Sequence, residues 1–394
     1  MRNKLCFIII FLFSILSGCS NYKELNEIAI VVGLGIDYIP AKKTYQVIYQ
    51  AINPSENAAQ ATGSGATPVT SFITTGKTLS EAAYNTSRLF SRQNIYSHIQ
   101  VVILGEQLAK KESLNFIFDV FERDAGVRVN VPVLIARDEN VKTTMDILPS
   151  NDKVPVRTII GKLKNASKNT GEYGETKIYQ VIEDLSNIGS EPAINGISIN
   201  GDKEKGTTKA NLENMHKAYV FLNGVAMFGK GKLVGWLDGK KTKSIQIIQN
   251  KIEQTNVRIH CDEKRYNNIL VNRLKSHSNV DIKNNQAVIT INANVSGSIV
   301  ELLCNKDISN RKVVKEYEHK AERELEKEIK DGIKAAQKVK SDVFGFGEIL
   351  HYTHIRKWNE SKHRWKELFS QANVNVHVKM DIERTGMRIK PYPY

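Results

Sequence analysis

Hydrophobic and polar positions alternate along much of the chain, with two different periods. Ile28 to Tyr38 and Tyr45 to Ile52 are rich in β-branched and aromatic residues, with Pro40 and Lys42-Lys43 between them, and read as two neighbouring strands. A polar loop, Asn53 to Ser71, follows. Thr78-Leu79-Ser80-Glu81 is a capping-box pattern, and Leu79, Ala82, Ala83, Thr86, Leu89 and Phe90 recur at helical spacing, which predicts a helix to about Arg92. A strand at Ile99 to Leu104, a helix at Leu114 to Phe121 and a strand at Val129 to Ala136 complete an alternating run, as expected of a mixed sheet covered by helices. The stretch Pro149 to Tyr173 reads as polar, and a helix is expected at Thr176 to Leu185.

Asn200 to Lys217 is the most loop-like segment of the mature chain and is taken as the main boundary. Beyond it, Ala218 to Phe228 and Leu233 to Leu237 predict a hairpin turning at Gly229-Lys230-Gly231. Ala287, Ile289, Ile291, Ala293 and Val295 alternate with polar residues, as do Val374, Val376, Val378, Met380 and Ile382, so each strand has one dry and one wet face, as in an antiparallel sheet. Between them Arg311 to Lys340 forms a long helix with Val313, Tyr317, Ala321, Leu325, Ile329 and Ile333 four apart. Such a stripe drifts by about 40° per step, which suits a helix laid across a twisted sheet.

The expected fold class is therefore α+β and multi-domain. Residues 19–200 form a mixed α/β region, 201–217 a linker, and 218–394 a mainly antiparallel sheet with a long helix. A further division near 255 would give three domains in all.

The N-terminus departs from these patterns. Arg2 and Lys4 precede twelve uncharged residues, Leu5 to Leu16, and then Ser17, Gly18 and Cys19. The apolar run falls short of the roughly 20 residues that a membrane span needs, and it fits a signal peptide, residues 1–18. Leu16-Ser17-Gly18-Cys19 has the form of a lipobox, which makes Cys19 the expected lipidation site, carrying diacylglyceryl and N-acyl chains. Two or more acyl chains give stable membrane attachment where one gives only marginal binding.

Loss of Arg2 and Lys4 leaves 54 basic against 42 acidic side chains, a formal charge of +12. Lys230, Lys232, Lys240, Lys241, Lys243 and Lys251 cluster around the single acid Asp238, and residues 355 to 394 hold nine Lys or Arg against four acids. For an exported lipoprotein this favours a surface facing a membrane or a partner, with solvated surface close behind, over nucleic acid. Cys261 and Cys304 have neither the spacing of a zinc site nor that of a redox site; a buried thiol is the favoured reading for Cys261, and a disulfide between the two is left open.

No catalytic, cofactor or metal set is assigned. Gly224 to Lys230 imitates a phosphate loop but places Gly231 where Ser or Thr must hold magnesium. Gly33-Leu34-Gly35 lacks the third glycine of a dinucleotide fingerprint and marks a bulge or close packing. His351 and His354 have no further ligand at zinc-enzyme spacing.

Leu16-Ser17-Gly18-Cys19 followed by Glu24-Leu25-Asn26-Glu27-Ile28-Ala29-Ile30-Val31-Val32-Gly33-Leu34-Gly35-Ile36-Asp37 resembles the start of GerAC-type spore germination lipoproteins. The resemblance continues through Thr78 to Ala82, Ser97 to Val102, Asn223 to Phe228 with Lys232 to Gly235, and Ser341 to Glu348. Asn21-Tyr22 departs from the Trp-Asp usual after the lipid-bearing cysteine. The resemblance implies a non-enzymatic, three-domain subunit of a nutrient germinant receptor, lipid-anchored on the outer face of the spore inner membrane. Its partners would be integral-membrane A- and B-type subunits, and whether it touches the nutrient is left open. The alternative is a solute-binding lipoprotein of a nutrient transporter. Phe344 and Phe346 are two further candidates: closing the helix onto the sheet is the preferred reading, and contact with a membrane subunit is the functional alternative.

Overall fold

The computed structural model describes residues 24, 27–52, 69–124, 126–150, 152, 154–213, 217–261, 265–304 and 306–385. Cys19 and the expected signal segment lie outside the described residues. Among the described residues no helix is long and apolar enough to cross a membrane.

The strands in chain order are β1 (Ile28–Ile39), β2 (Thr44–Ile52), β3 (Val69–Gly76), β4 (Gln93–Ile95), β5 (Val101–Gly105), β6 (Val133–Ala136), β7 (Ala193–Gly201), β8 (Ala218–Gly229), β9 (Lys232–Leu237), β10 (Thr255–His260), β11 (Tyr266–Lys283), β12 (Gln286–Leu302) and β13 (Asn373–Arg384). They form two sheets. The first runs β3-β2-β1-β5-β6-β7-β8-β9, with the short β4 also on β1, and the second runs β10-β11-β12-β13.

The centre of the first sheet is parallel: β1 pairs with β5, β5 with β6, and β6 with β7 in that sense, while the flanking hairpins are antiparallel. A parallel centre must be covered on both faces, so its strands read as unbroken apolar runs. Val102, Leu104, Val133 and Ile135 enter one core, and Val101, Ile103, Leu134 and Ala136 enter the other. Gly33 and Gly35 of β1 make room on the second face. A Cβ at Gly33 would stand 2.5 Å from Val156, and one at Gly35 2.6 Å from Val141. The register also slips between Val31 and Gly33, so bulge and close packing coincide there.

Several elements differ from the sequence reading. The helix capped by Thr78, whose side chain accepts the Glu81 N–H at 3.1 Å, ends at Asn85 and gives way to a 3-10 turn. The polar stretch after Pro149 holds a 16-residue helix, Pro155–Thr170, with Pro155 in its first turn and Val156, Ile159 and Leu163 buried. Lys and Asn on its wet face masked the apolar stripe.

Residues 201–217 stand between β7 and β8, which pair along Ala193 to Gly201 in one sheet. The change of sheet comes later, between Leu237 and Thr255, close to the expected further division near 255. Val225, Met227 and Leu237 of the first sheet share one apolar cluster with the second sheet, so the hairpin serves both.

The second sheet has the expected dry face. Ala287, Ile289, Ile291, Ala293 and Val295 are buried, and the helix Arg311–Lys338 covers them with Tyr317, Ala321, Leu325, Ile329 and Ile333. Its last pair differs from expectation: β13 runs parallel to β12. Alternation of side chains is the same in either sense, and the helical crossover after Leu302 is what permits a parallel neighbour. Cys261 and Cys304 are joined in a disulfide, with Cα atoms 5.5 Å apart, that ties the end of β10 to the end of β12. The buried-thiol reading of Cys261 is thereby replaced.

Candidate functional site

The segment Ser341 to Glu348 is where the two sheets are fastened together. The long helix ends at Lys338, and Lys340 turns the chain with φ of +54°. The Ser341 hydroxyl then donates to the carbonyl of Phe228 in β8, and the Glu191 N–H donates to the carbonyl of Asp342 at 2.9 Å. Both bonds cross from the segment that follows the second sheet's helix to the first sheet's β8 and to the residues leading into β7.

Asp342 organises the turn itself. Its Oδ1 accepts the N–H groups of Gly345 and Phe346 at 3.1 and 3.2 Å, and its Oδ2 accepts those of Gly347 and the Trp365 indole, both at 2.9 Å. The carboxylate therefore supplies acceptors to the exposed donors at the start of the helix Phe346–Thr353. Burial pushes its pKa up, to about 6, against the hydrogen bonds from Gly347, Trp365 and Phe346, which pull it down.

Two glycines allow the contact. Gly345 adopts φ of +77°, a left-handed conformation at the helix N-cap that favours glycine. Gly347 sits against Gly189, whose carbonyl accepts the Glu348 N–H at 3.2 Å; a Cβ on Gly347 would stand 2.5 Å from the Trp365 ring nitrogen.

Phe344 and Phe346 are both buried, with ring centroids 5.3 Å apart, and Phe346 lies 6.2 Å from Phe369. They close the helix onto the sheet and present no ring to solvent, so the expected partner contact through these rings has no exposed surface here. The signal for burial was the apolar series that continues through Leu350, Trp358, Trp365 and Phe369.

The lysine cluster is also not one open surface. Lys243 is buried, its ammonium donating to the Asn256 carbonyl at 2.9 Å, and together with Lys240 it flanks the buried carboxylate of Glu328. Lys232 donates to the Lys111 carbonyl at 2.7 Å. The acids that pair with these lysines come from distant elements, which a count along the chain misses. His351 stacks beside Tyr352 and near Trp358, and among the described residues no group of three or more His, Cys, Asp or Glu is arranged to hold a metal.

Beside this junction a cavity of about 360 Å³ opens between the first sheet, the helix Ile178–Ser186, the helix Lys243–Ile248 and the Val343–Ile349 segment. Asp184 lines it and accepts a hydrogen bond from the Ser190 hydroxyl at 3.0 Å. Burial pushes its pKa to about 7, with the negative charges of Glu183 and Glu348 adding to the rise and Ser190 and Lys251 opposing it. Nothing in the spacing of these residues along the chain marks them as one site.

Residues 21–199 match the family model described as spore germination protein N-terminal domain, and residues 223–386 match the one described as spore germination B3/GerAC like, C-terminal. The chain is similar to spore germination protein KC of Bacillus subtilis (strain 168), 28% identical over 96% of this chain and 94% of that protein. Spore germination protein B3 of the same organism is 24% identical over 96% of this chain and 97% of its own length. Among solved structures, the crystal structure of the GerBC protein has the same fold, with a TM-score of 0.55 at 20% identity over 89% of this chain and 97% of that one. Two matched segments in series, relatives matched nearly end to end and a shared fold lead to one assignment: the chain belongs to the GerAC family of spore germination proteins, the C-type subunits of germinant receptors.

Proposed function

We propose that the chain acts as a lipid-anchored, non-enzymatic subunit of a nutrient germinant receptor, held through Cys19 on the outer face of the spore inner membrane and assembled there with integral-membrane A- and B-type subunits. The observation that carries this reading is the pair of family segments, 21–199 and 223–386, standing in order behind a lipobox-like Leu16-Ser17-Gly18-Cys19. The Cys261–Cys304 disulfide supports an exported location, because such bonds persist in oxidising compartments. The relative named spore germination protein A3, similar over 47% of this chain, supports a role within the same process.

Attachment through acyl chains gives the subunit a fixed place without a spanning helix, and its basic excess adds attraction to anionic headgroups. The test is Cys19→Ala in the native sporulating host, with membrane fractionation and nutrient-triggered germination followed together. Loss of both with the fold intact is expected. A variant that stays with the membrane and germinates normally would overturn the anchor, and failure of the intact chain to co-purify with A- and B-type subunits would overturn the assembly.

A further inference from the structure

The cavity beside the junction has a composition that selects for one kind of guest. Its ionisable lining residues are Glu175, Glu183, Asp184 and Glu348 against the single cation Lys251. Gln246 also lines it; this residue is 7% exposed, and its Oε1 is buried with no hydrogen-bond donor. An acceptor buried without a donor is costly, so a buried, unpartnered Oε1 on a cavity wall marks a place for a donor from outside. Asp184 stands on the same cavity, with its Oδ1 accepting the Ser190 hydroxyl.

The carboxylates are not gathered tightly enough for a metal, since among the described residues no set of three metal-ligating groups converges. Apolar walls from Val225, Ile245 and Phe344 would suit a carbon skeleton instead. Lys251 stands at one side, where desolvation pushes its pKa down against the neighbouring carboxylates of Asp184 and Glu183, which raise it.

We propose that this cavity binds a small organic ammonium ion, whose N–H groups donate to Asp184 and to Gln246 Oε1 while the surrounding carboxylates balance its charge. The shared chemistry is the ammonium group; a zwitterion would in addition place its carboxylate near Lys251. The raised pKa of Asp184 adds a signature. With Glu175, Glu183, Glu348 and Lys251 as the other charged groups on the cavity, a cation entering it favours the ionised carboxylate, so binding strengthens as pH rises and releases protons near neutrality. The proposal stands on the cavity alone and does not depend on the receptor reading.

The test is calorimetric titration of the lipidated full chain in detergent with putrescine, ethanolamine and glycine, with glycerol and acetate as the neutral and anionic controls. Saturable binding of at least one ammonium probe is expected at pH about 8 and weaker binding at pH about 6. Asp184→Asn and Gln246→Leu should each weaken it by about tenfold or more, with thermal melts showing both variants folded. Glycine binding that is lost on Lys251→Ala would identify a zwitterion site, and equal binding of putrescine in that variant a plain amine site. Should Asp184→Asn fail to fold, Gln246→Leu and Ser190→Ala carry the comparison. Absence of saturable binding for all three ammonium probes, acetate or glycerol binding as well as they do, or binding unchanged in the folded variants would overturn the proposal.

Discussion

Glu322 of the long helix accepts the backbone N–H of Met380 in β13 at 3.0 Å. Glu326 does the same for Val378 and Glu318 for Ile382, both at 3.1 Å. The match is geometric: four residues of helix rise about 6 Å and two residues of strand about 6.8 Å, so glutamates four apart keep step with alternate amides of an antiparallel-running strand. Three carboxylates thus occupy the positions that a further strand would take at this sheet edge.

Removing one of these acceptors exposes an edge donor. Glu322→Ala is expected to lower stability by about 1–3 kcal/mol and to increase self-association, because unpaired strand edges recruit other chains. Urea titration and light scattering measure the two effects. Glu322→Gln keeps an acceptor and should fall between; a variant as stable and monodisperse as the parent would show that the carboxylates leave the edge energetically unaltered.

At the junction, Asp342→Asn should be destabilising by about 3 kcal/mol or more, even though it removes a buried charge. Either orientation of the amide sets an NH₂ group against two N–H donors, Gly345 with Phe346 or Gly347 with Trp365. Chemical denaturation of the two proteins decides it, and equal midpoints would refute this account of the turn.

The overall architecture was open to inspection in the sequence wherever a face was periodic. Ala287 to Val295, the four-residue stripe of Tyr317 to Ile333 and the unbroken runs of β5 and β6 each declare what they bury. What the sequence did not disclose depends on pairing between distant segments. The parallel sense of β13, the membership of β8 in the first sheet and the Cys261–Cys304 bond are all set by partners far along the chain. The cavity was hidden for the same reason: Asp184 and Gln246 are ordinary helix residues until the fold brings them to one space. The proposed role of Cys19, by contrast, rests on a contiguous four-residue pattern and lies outside the described residues.

The share of stability set by Asp184 and Asp342 should fall as pH rises from about 4 to about 7. Asp184 and Asp342 have folded pKa values raised to about 7 and about 6, above the ordinary carboxylate value, so the folded state holds more protons than the unfolded state within that window. The loss is complete once both have ionised. Asp184→Asn should therefore raise the melting temperature at pH about 8 relative to the parent and leave it nearly unchanged at pH about 4. Melting curves across that range test it, and an equal effect at both ends would remove Asp184 as the source.

Reduction of the disulfide opens a loop of 43 residues. Chain entropy puts the stabilisation from such a closure at about 4 kcal/mol. A drop of the melting temperature in dithiothreitol, abolished in a Cys261→Ser, Cys304→Ser double variant, is expected. Identical curves with and without reductant would mean the bond adds nothing to the folded state.

The parallel pairing of β12 with β13 has a consequence for how the polypeptide is made. The second sheet cannot be finished until Asn373–Arg384 has been synthesised, long after β11 and β12 are available. In the interval β12 has no neighbour on one side, and its row of free amides is a hazard for misassembly. Shortened products that stop within the connecting helices would remain in that sticky state, so this protein's yield should depend strongly on the last part of its chain.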